Sequence, residues 1–204
     1  MKIRPDKRVL DNLPQSFRKE DIAEMAIPSY FHWNPFVRYI ISERLNEIVR
    51  IGDFLSSDAV SDFGTELRTE LARRTLQLSN SPNARIVELD EFENLLPQSI
   101  SKIVAADVLE HSPDLATLVD KVSRLLQQGG KLIVSGPTET GFYKLCRKIA
   151  GFRGDYHVRS VFDIEKLLGE KGYKMQQRHL LPRFLPFKLF EVLVYEVPEA
   201  TIPS

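Results

Sequence analysis

Cysteine is almost absent from this chain: Cys146 is the only one in 204 residues. A single thiol closes no internal disulfide and supplies no cysteine-based zinc site, so a reducing, cytoplasmic compartment is expected. Charge imbalance is absent as well. Lysine plus arginine number 28 and aspartate plus glutamate number 28. The chain therefore lacks the broad basic field that draws nucleic acid to a protein, and no nucleic-acid partner is expected. No apolar run approaches the roughly 20 residues of a membrane-spanning helix, so no membrane span is expected. The greasiest stretch, Leu180 to Val197, is broken by Pro182, Arg183, Pro186, Lys188, Glu191 and Glu196 and reads as a core element. The basic opening from Met1 to Arg8 has no apolar run behind it and does not read as a signal peptide. The four histidines, His32, His111, His157 and His179, show no ligand spacing on a helix, so no metal site is expected.

What remains is ordinary for a globular protein, with 43% hydrophobic and 27% charged residues. The length suits one core. Residues 1–29 read as an irregular lead-in with a short helix, 30–197 as one α/β domain and 198–204 as a tail. Asn34 and Pro35 suit the start of a helix running to about Arg50, with Phe36, Tyr39, Ile40, Leu45 and Ile48 as its apolar face. Residues 58–65 read as a short strand entering a turn, followed by a helix over 66–78, a loop over 79–83 and a strand over 84–89. The buried-strand pattern is strongest from Ile100 to Val108. An amphipathic helix over 113–127 follows, closed by Gly129 and Gly130, then a strand over 131–135. Helices near 139–150 and 160–171 precede strands at 173–181 and 189–197. Phe184, Phe187 and Phe190 read as core or edge cover, with docking of a lipid-like acceptor there as the alternative, and Cys146 reads as a packed helix residue. Strands alternating with helices predict a parallel sheet covered on both faces. The last two strands are too close in sequence for a helical crossover, so they should pair antiparallel.

The run from Ile103 to His111, with its Leu109-Glu110-His111 ending, is followed by a helix, the Gly129-Gly130 turn and a strand closing at Pro137. This order and spacing resemble the second half of the class I S-adenosylmethionine-dependent methyltransferases. The Trp33-Asn34-Pro35 helix is similar to the lead-in helix of related enzymes, and the resemblance spans roughly residues 30–197. It implies a Rossmann-like, doubly wound, mostly parallel sheet with helices on both faces and a C-terminal antiparallel hairpin. It implies S-adenosylmethionine as cofactor and a small-molecule or lipid-like methyl acceptor as partner. The oligomeric state is left open.

By that resemblance Asp62, Gly64, Asp90, Ala106, Asp107 and His111 would contact the cofactor. Glu110, Tyr143, Tyr156 and His157 would line the acceptor pocket, with His111 and His157 as candidate bases. Ligands of open α/β sheets bind outside the carboxyl ends of the strands, where the strand order reverses, which is where Asp107 would lie.

The sequence departs from the family at the front. Asp62-Phe63-Gly64-Thr65-Glu66-Leu67-Arg68 matches the cofactor loop at its first glycine, but Glu66 and Arg68 stand where two further glycines are usual. Residues 63–102 are also too few for the two strand-helix units the family places there, so one unit is expected to be missing. A second reading follows from these departures: a methyltransferase-like domain that no longer catalyses and serves as a binding or partner subunit.

Overall fold

A computed structural model of the chain describes residues 32–54, 60–62, 94–106, 108–152 and 159–197, with 61 and 62 as backbone alone. The lead-in before His32, the helix over 66–78, the strand over 84–89, the missing strand-helix unit and the tail fall outside those residues.

The first described helix, α1 (Pro35–Gly52), starts as its sequence requires. Proline occupies the first turn, where a missing N–H costs nothing, and the Asn34 side chain accepts from the Phe36 N–H at 2.9 Å. Ile40, Ile41, Leu45, Ile48 and Ile51 are buried. Phe36 and Tyr39, expected on the same face, are instead exposed. Strand β1 (Val60–Asp62) is followed by β2 (Ile100–Ala106), a short 3-10 turn (Leu109–His111), α2 (Leu115–Leu125) and β3 (Leu126–Pro137). Then come α3 (Gly141–Ile149), α4 (Val161–Glu170), β4 (Lys174–Leu181) and β5 (Phe190–Glu196).

These strands form one five-stranded sheet in the order β1-β2-β3-β5-β4. The pairs β1/β2 and β2/β3 are parallel, and β5 lies antiparallel between β3 and β4. The terminal hairpin is therefore present as its short connection demanded.

Side chains alternate across the sheet and divide the core in two. On one face Val60, Val104, Ile133, Val192 and Val194 pack with α1 and with Tyr143 of α3. On the other, Ile103, Ala105, Leu132, Val134, Leu193 and Tyr195 pack with α2 and α4. Helices thus cover both faces of an α/β sheet, the doubly wound arrangement.

Boundaries around β2 and β3 differ from expectation: β2 ends at Ala106 rather than Val108, and β3 spans Leu126–Pro137 rather than 131–135. The chain leaves helix after Leu125, and Leu126 joins the sheet opposite Ile100 rather than extending the helix to residue 127. The glycine pair serves the strand. Between the pairings at Leu126 and Lys131 the register shifts, with Gly129 at a φ of 71°. A Cβ on Gly130 would stand 2.7 Å from the Gln127 carbonyl oxygen, so only glycine fits there.

Candidate functional site

The carboxyl ends of β1, β2, β3 and β4 share one edge of the sheet. Asp62, which ends β1, is registered opposite Val104, and Ala106, which ends β2, lies opposite Ser135. Leu181, which ends β4, and Pro137, which ends β3, both pair with Phe190. Strands β1 and β2 are therefore adjacent, and β2 runs two residues past the position opposite Asp62 to Ala106. Ala106 is partly buried, so a methyl group is all that projects from this position.

Beyond β2 the chain folds into the 3-10 turn. The His111 N–H donates to the Val108 carbonyl at 3.1 Å and the Ser112 N–H to the Leu109 carbonyl at 3.2 Å. Leu109 anchors this turn in the core shared by α2 and α4. Glu110, 1% exposed, sits between the end of β3 and the start of α4. A Cβ on Gly136 would lie 3.9 Å from its Oε1 and 3.7 Å from Cβ of Val161. His111, half-buried, is the next residue on the same turn.

Thr140 caps α3, its hydroxyl accepting from the Tyr143 N–H at 3.2 Å. The Tyr143 ring is buried and meets Phe190 edge-on, with ring centres 5.6 Å apart. Thr138, buried just ahead of α3, locks the same edge. Its hydroxyl donates to the Lys188 carbonyl at 3.1 Å, and its N–H donates to the Leu189 carbonyl at 3.0 Å. Gly64, Asp90, Asp107, Tyr156 and His157 lie outside the described residues, as does the loop from Phe63 to Arg68. Among the residues the sequence nominated, the structure thus sets Asp62 and Ala106 on adjacent strands, with Glu110 and His111 on the turn that follows β2.

Sequence reasoning missed the charged links between α1 and the sheet with its terminal hairpin. Glu47 of α1 is buried and takes Arg50, His179 and Arg183 as partners, Arg50 at 2.6 Å and His179 at 2.8 Å. Arg44 is buried with its guanidinium 4.7 Å from the centre of the Phe190 ring. Lys102 of β2 donates to the Asp53 carbonyl at 2.6 Å, tying the end of α1 to the sheet. Arg183 lies so far along the chain from Glu47 that no local pattern could have signalled the pairing. Cys146 is partly buried against the α1 core, and burial pushes its thiol pKa up, which suits packing rather than nucleophilic attack. Among the described residues no group of histidines, cysteines and carboxylates is arranged to hold a metal ion, and no helix is long and apolar enough to cross a membrane.

No family model matches the sequence, and no curated protein matches it either. Solved structures do match. Magnesium protoporphyrin IX methyltransferase from Synechocystis PCC 6803, solved with S-adenosylhomocysteine bound, is 17% identical with a TM-score of 0.53. The alignment covers 84% of this chain and 98% of that one. The N-methyltransferase NodS from Bradyrhizobium japonicum WM9 is 19% identical with a TM-score of 0.51, covering 82% of this chain and 99% of its own. The pyocyanin biosynthetic protein PhzM is 16% identical with a TM-score of 0.56, covering 84% of this chain and 61% of its own. The chain has the class I methyltransferase fold. At these identities the likeness establishes architecture. The activity is a matter for the residues at the carboxyl edge.

Proposed function

We propose that the chain is an S-adenosylmethionine-dependent methyltransferase acting on a small-molecule or lipid-like acceptor. The supporting observation is the parallel pairing of β1 with β2, in which Asp62 at the end of β1 lies opposite Val104, two residues before β2 ends at Ala106. In a doubly wound sheet this edge is where nucleotide-containing ligands lie. The described residues fit such a ligand. Ala106 projects only a methyl group at the end of β2, so no bulky side chain from that position fills the space. Asp62 and Ala106 would flank the cofactor, together with Gly64, Asp90, Asp107 and His111. Glu110, Tyr143, Tyr156 and His157 are assigned to the acceptor side, with His111 and His157 as candidate bases.

When bound, S-adenosylmethionine supplies an electrophilic methyl group. The chain's part is to hold the acceptor in line with it and to exclude water, since positioning alone accounts for much of such a rate enhancement. A histidine at the edge suits removal of the acceptor proton, because its ordinary pKa lies near neutrality. Nothing among the described residues favours the second reading, a domain that binds without catalysing.

Ligand-linked stability tests the proposal. A ligand that binds only the folded state raises its stability by about 2.7 kcal/mol at a hundredfold excess over Kd. S-adenosylhomocysteine should therefore raise the melting temperature of the wild-type protein, and Asp62→Ala should abolish the rise without unfolding the protein. An unchanged melting temperature at saturating ligand would count against cofactor use.

A further inference from the structure

Three segments meet at the carboxyl edge and carry most of the apolar surface that the described residues leave exposed. Trp33, Phe36 and Tyr39 stand at the start of α1, Trp33 being 78% exposed. Leu145 and Ile149 lie on the outer side of α3. Phe184 and Phe187, each more than half exposed, tip the connection between β4 and β5. Ring contacts join the segments into one surface. Phe184 packs against Phe36 and Tyr39 with ring centres 6.3 and 5.7 Å apart, and Phe187 lies 4.4 Å from Phe142 of α3. The other end of α3 is held to the start of α1 by His32, whose Nε2 is 3.0 Å from the Ala150 carbonyl oxygen. A contiguous apolar surface of this kind on a folded chain marks a contact site.

Charge says what it contacts. Although the chain as a whole is neutral, residues 32–42, 140–150 and 182–189 carry Arg38, Lys144, Arg147, Lys148, Arg183 and Lys188 and no carboxylate. The nearest acidic residues in sequence are Glu43, Glu139 and Glu191; Glu191 is buried beside Arg178, and Glu47 is taken up by Arg183. Lys144 and Lys148 are exposed on the same helix as Leu145 and Ile149. Exposed Trp, Tyr and Phe interleaved with cations match the boundary between head groups and acyl chains, where rings enter and basic side chains meet anionic lipid.

We infer that this face docks the protein on an anionic membrane surface, with Phe184 and Phe187 entering the head-group layer and α3 lying along it. The carboxyl edge of the sheet then faces the bilayer. The inference stands apart from the methyltransferase reading, and its test uses no cofactor.

Trp33 is the only tryptophan, so its fluorescence reports on this face alone. The full chain is mixed with vesicles of phosphatidylcholine, or of phosphatidylcholine and phosphatidylglycerol in equal parts. With the mixed vesicles the protein should sediment and Trp33 emission should move to shorter wavelength, both effects fading in high salt. Phe184→Ser with Phe187→Ser, and separately Lys144→Glu with Lys148→Glu, should each weaken the binding about tenfold or more. All four side chains being exposed, the variants should keep the wild-type circular dichroism. Equal sedimentation with phosphatidylcholine alone would overturn the assignment of an anionic surface, and binding unchanged in either double variant, or none to the mixed vesicles, would overturn the docking. Short-wavelength Trp33 emission without vesicles would also overturn it. A dimeric mass by light scattering would then assign the face to a second copy, and a monomeric mass to a segment of this chain.

Discussion

The Glu47 carboxylate, buried on α1, accepts from Arg183 of the β4–β5 connection, and so fastens the first helix to the loop that closes the terminal hairpin. Arg50 and His179 complete its partners. Burial alone would raise the Glu47 pKa, but the hydrogen bonds from Arg50 and Arg183, with their charges, outweigh it and hold the carboxyl below its ordinary 4.5. A depressed carboxylate contributes stability that is fully present above pH 4.5 and lost as pH falls through the folded-state value. Glu47→Gln should therefore cost about 2 kcal/mol at neutral pH. The gap to wild type should close in acid, as measured by denaturant midpoints at both pH values.

Glu191 of β5 behaves in the opposite way. Burial raises its pKa, the neighbouring Glu165 adds to the rise, and Arg178 at 3.3 Å offsets only part of it. A raised carboxyl stabilises the fold fully below its ordinary 4.5, and that contribution is lost as pH climbs through the folded value. Glu191→Gln removes the titration. At neutral pH the variant should be at least as stable as wild type, and its advantage should shrink as pH falls.

Tyr173, just ahead of β4, reaches across to α2, where its hydroxyl and that of Ser123 are 2.6 Å apart. Burial pushes the Tyr173 phenol up, so it stays protonated and able to donate. Tyr173→Phe should lower stability by about 1 kcal/mol in chemical denaturation, with no change in vesicle or ligand binding.

Gly130→Ala tests the bulge that replaced an expected helix end. The added Cβ would meet the Gln127 carbonyl at 2.7 Å and the Ser101 carbonyl at 3.2 Å, both backbone atoms with little freedom to yield. The expected loss is about 2 kcal/mol in denaturant unfolding.

Much of the fold was legible because period and punctuation agreed. Ile100 to Val108 reads as a buried strand, and Ile100–Ala106 of it is one. The Ser160 start of α4 carries a full capping box with Asp163, and Gly172, at a φ of 81°, follows its end. The hairpin followed from the short connection between β4 and β5. The end of α2 was misplaced because a glycine pair signals a helix stop and a strand bulge equally well, and only the pairing of Leu126 with Ile100 decides between them. Phe184 and Phe187 were read with Phe190 as core or edge cover, yet only Phe190 is buried, because strand periodicity says nothing about a connection. Of the candidate site, the strand ends and the Leu109-Glu110-His111 turn were legible as local motifs. The Glu47, Arg178 and Arg183 links were not, since they join segments far apart in the chain.

The most direct test of cofactor use is calorimetric titration of the full chain with S-adenosylmethionine and S-adenosylhomocysteine. The account predicts saturable binding of both in the micromolar range, a free energy of about −8 kcal/mol. No heat at millimolar ligand, from protein shown to be folded by circular dichroism, would contradict it.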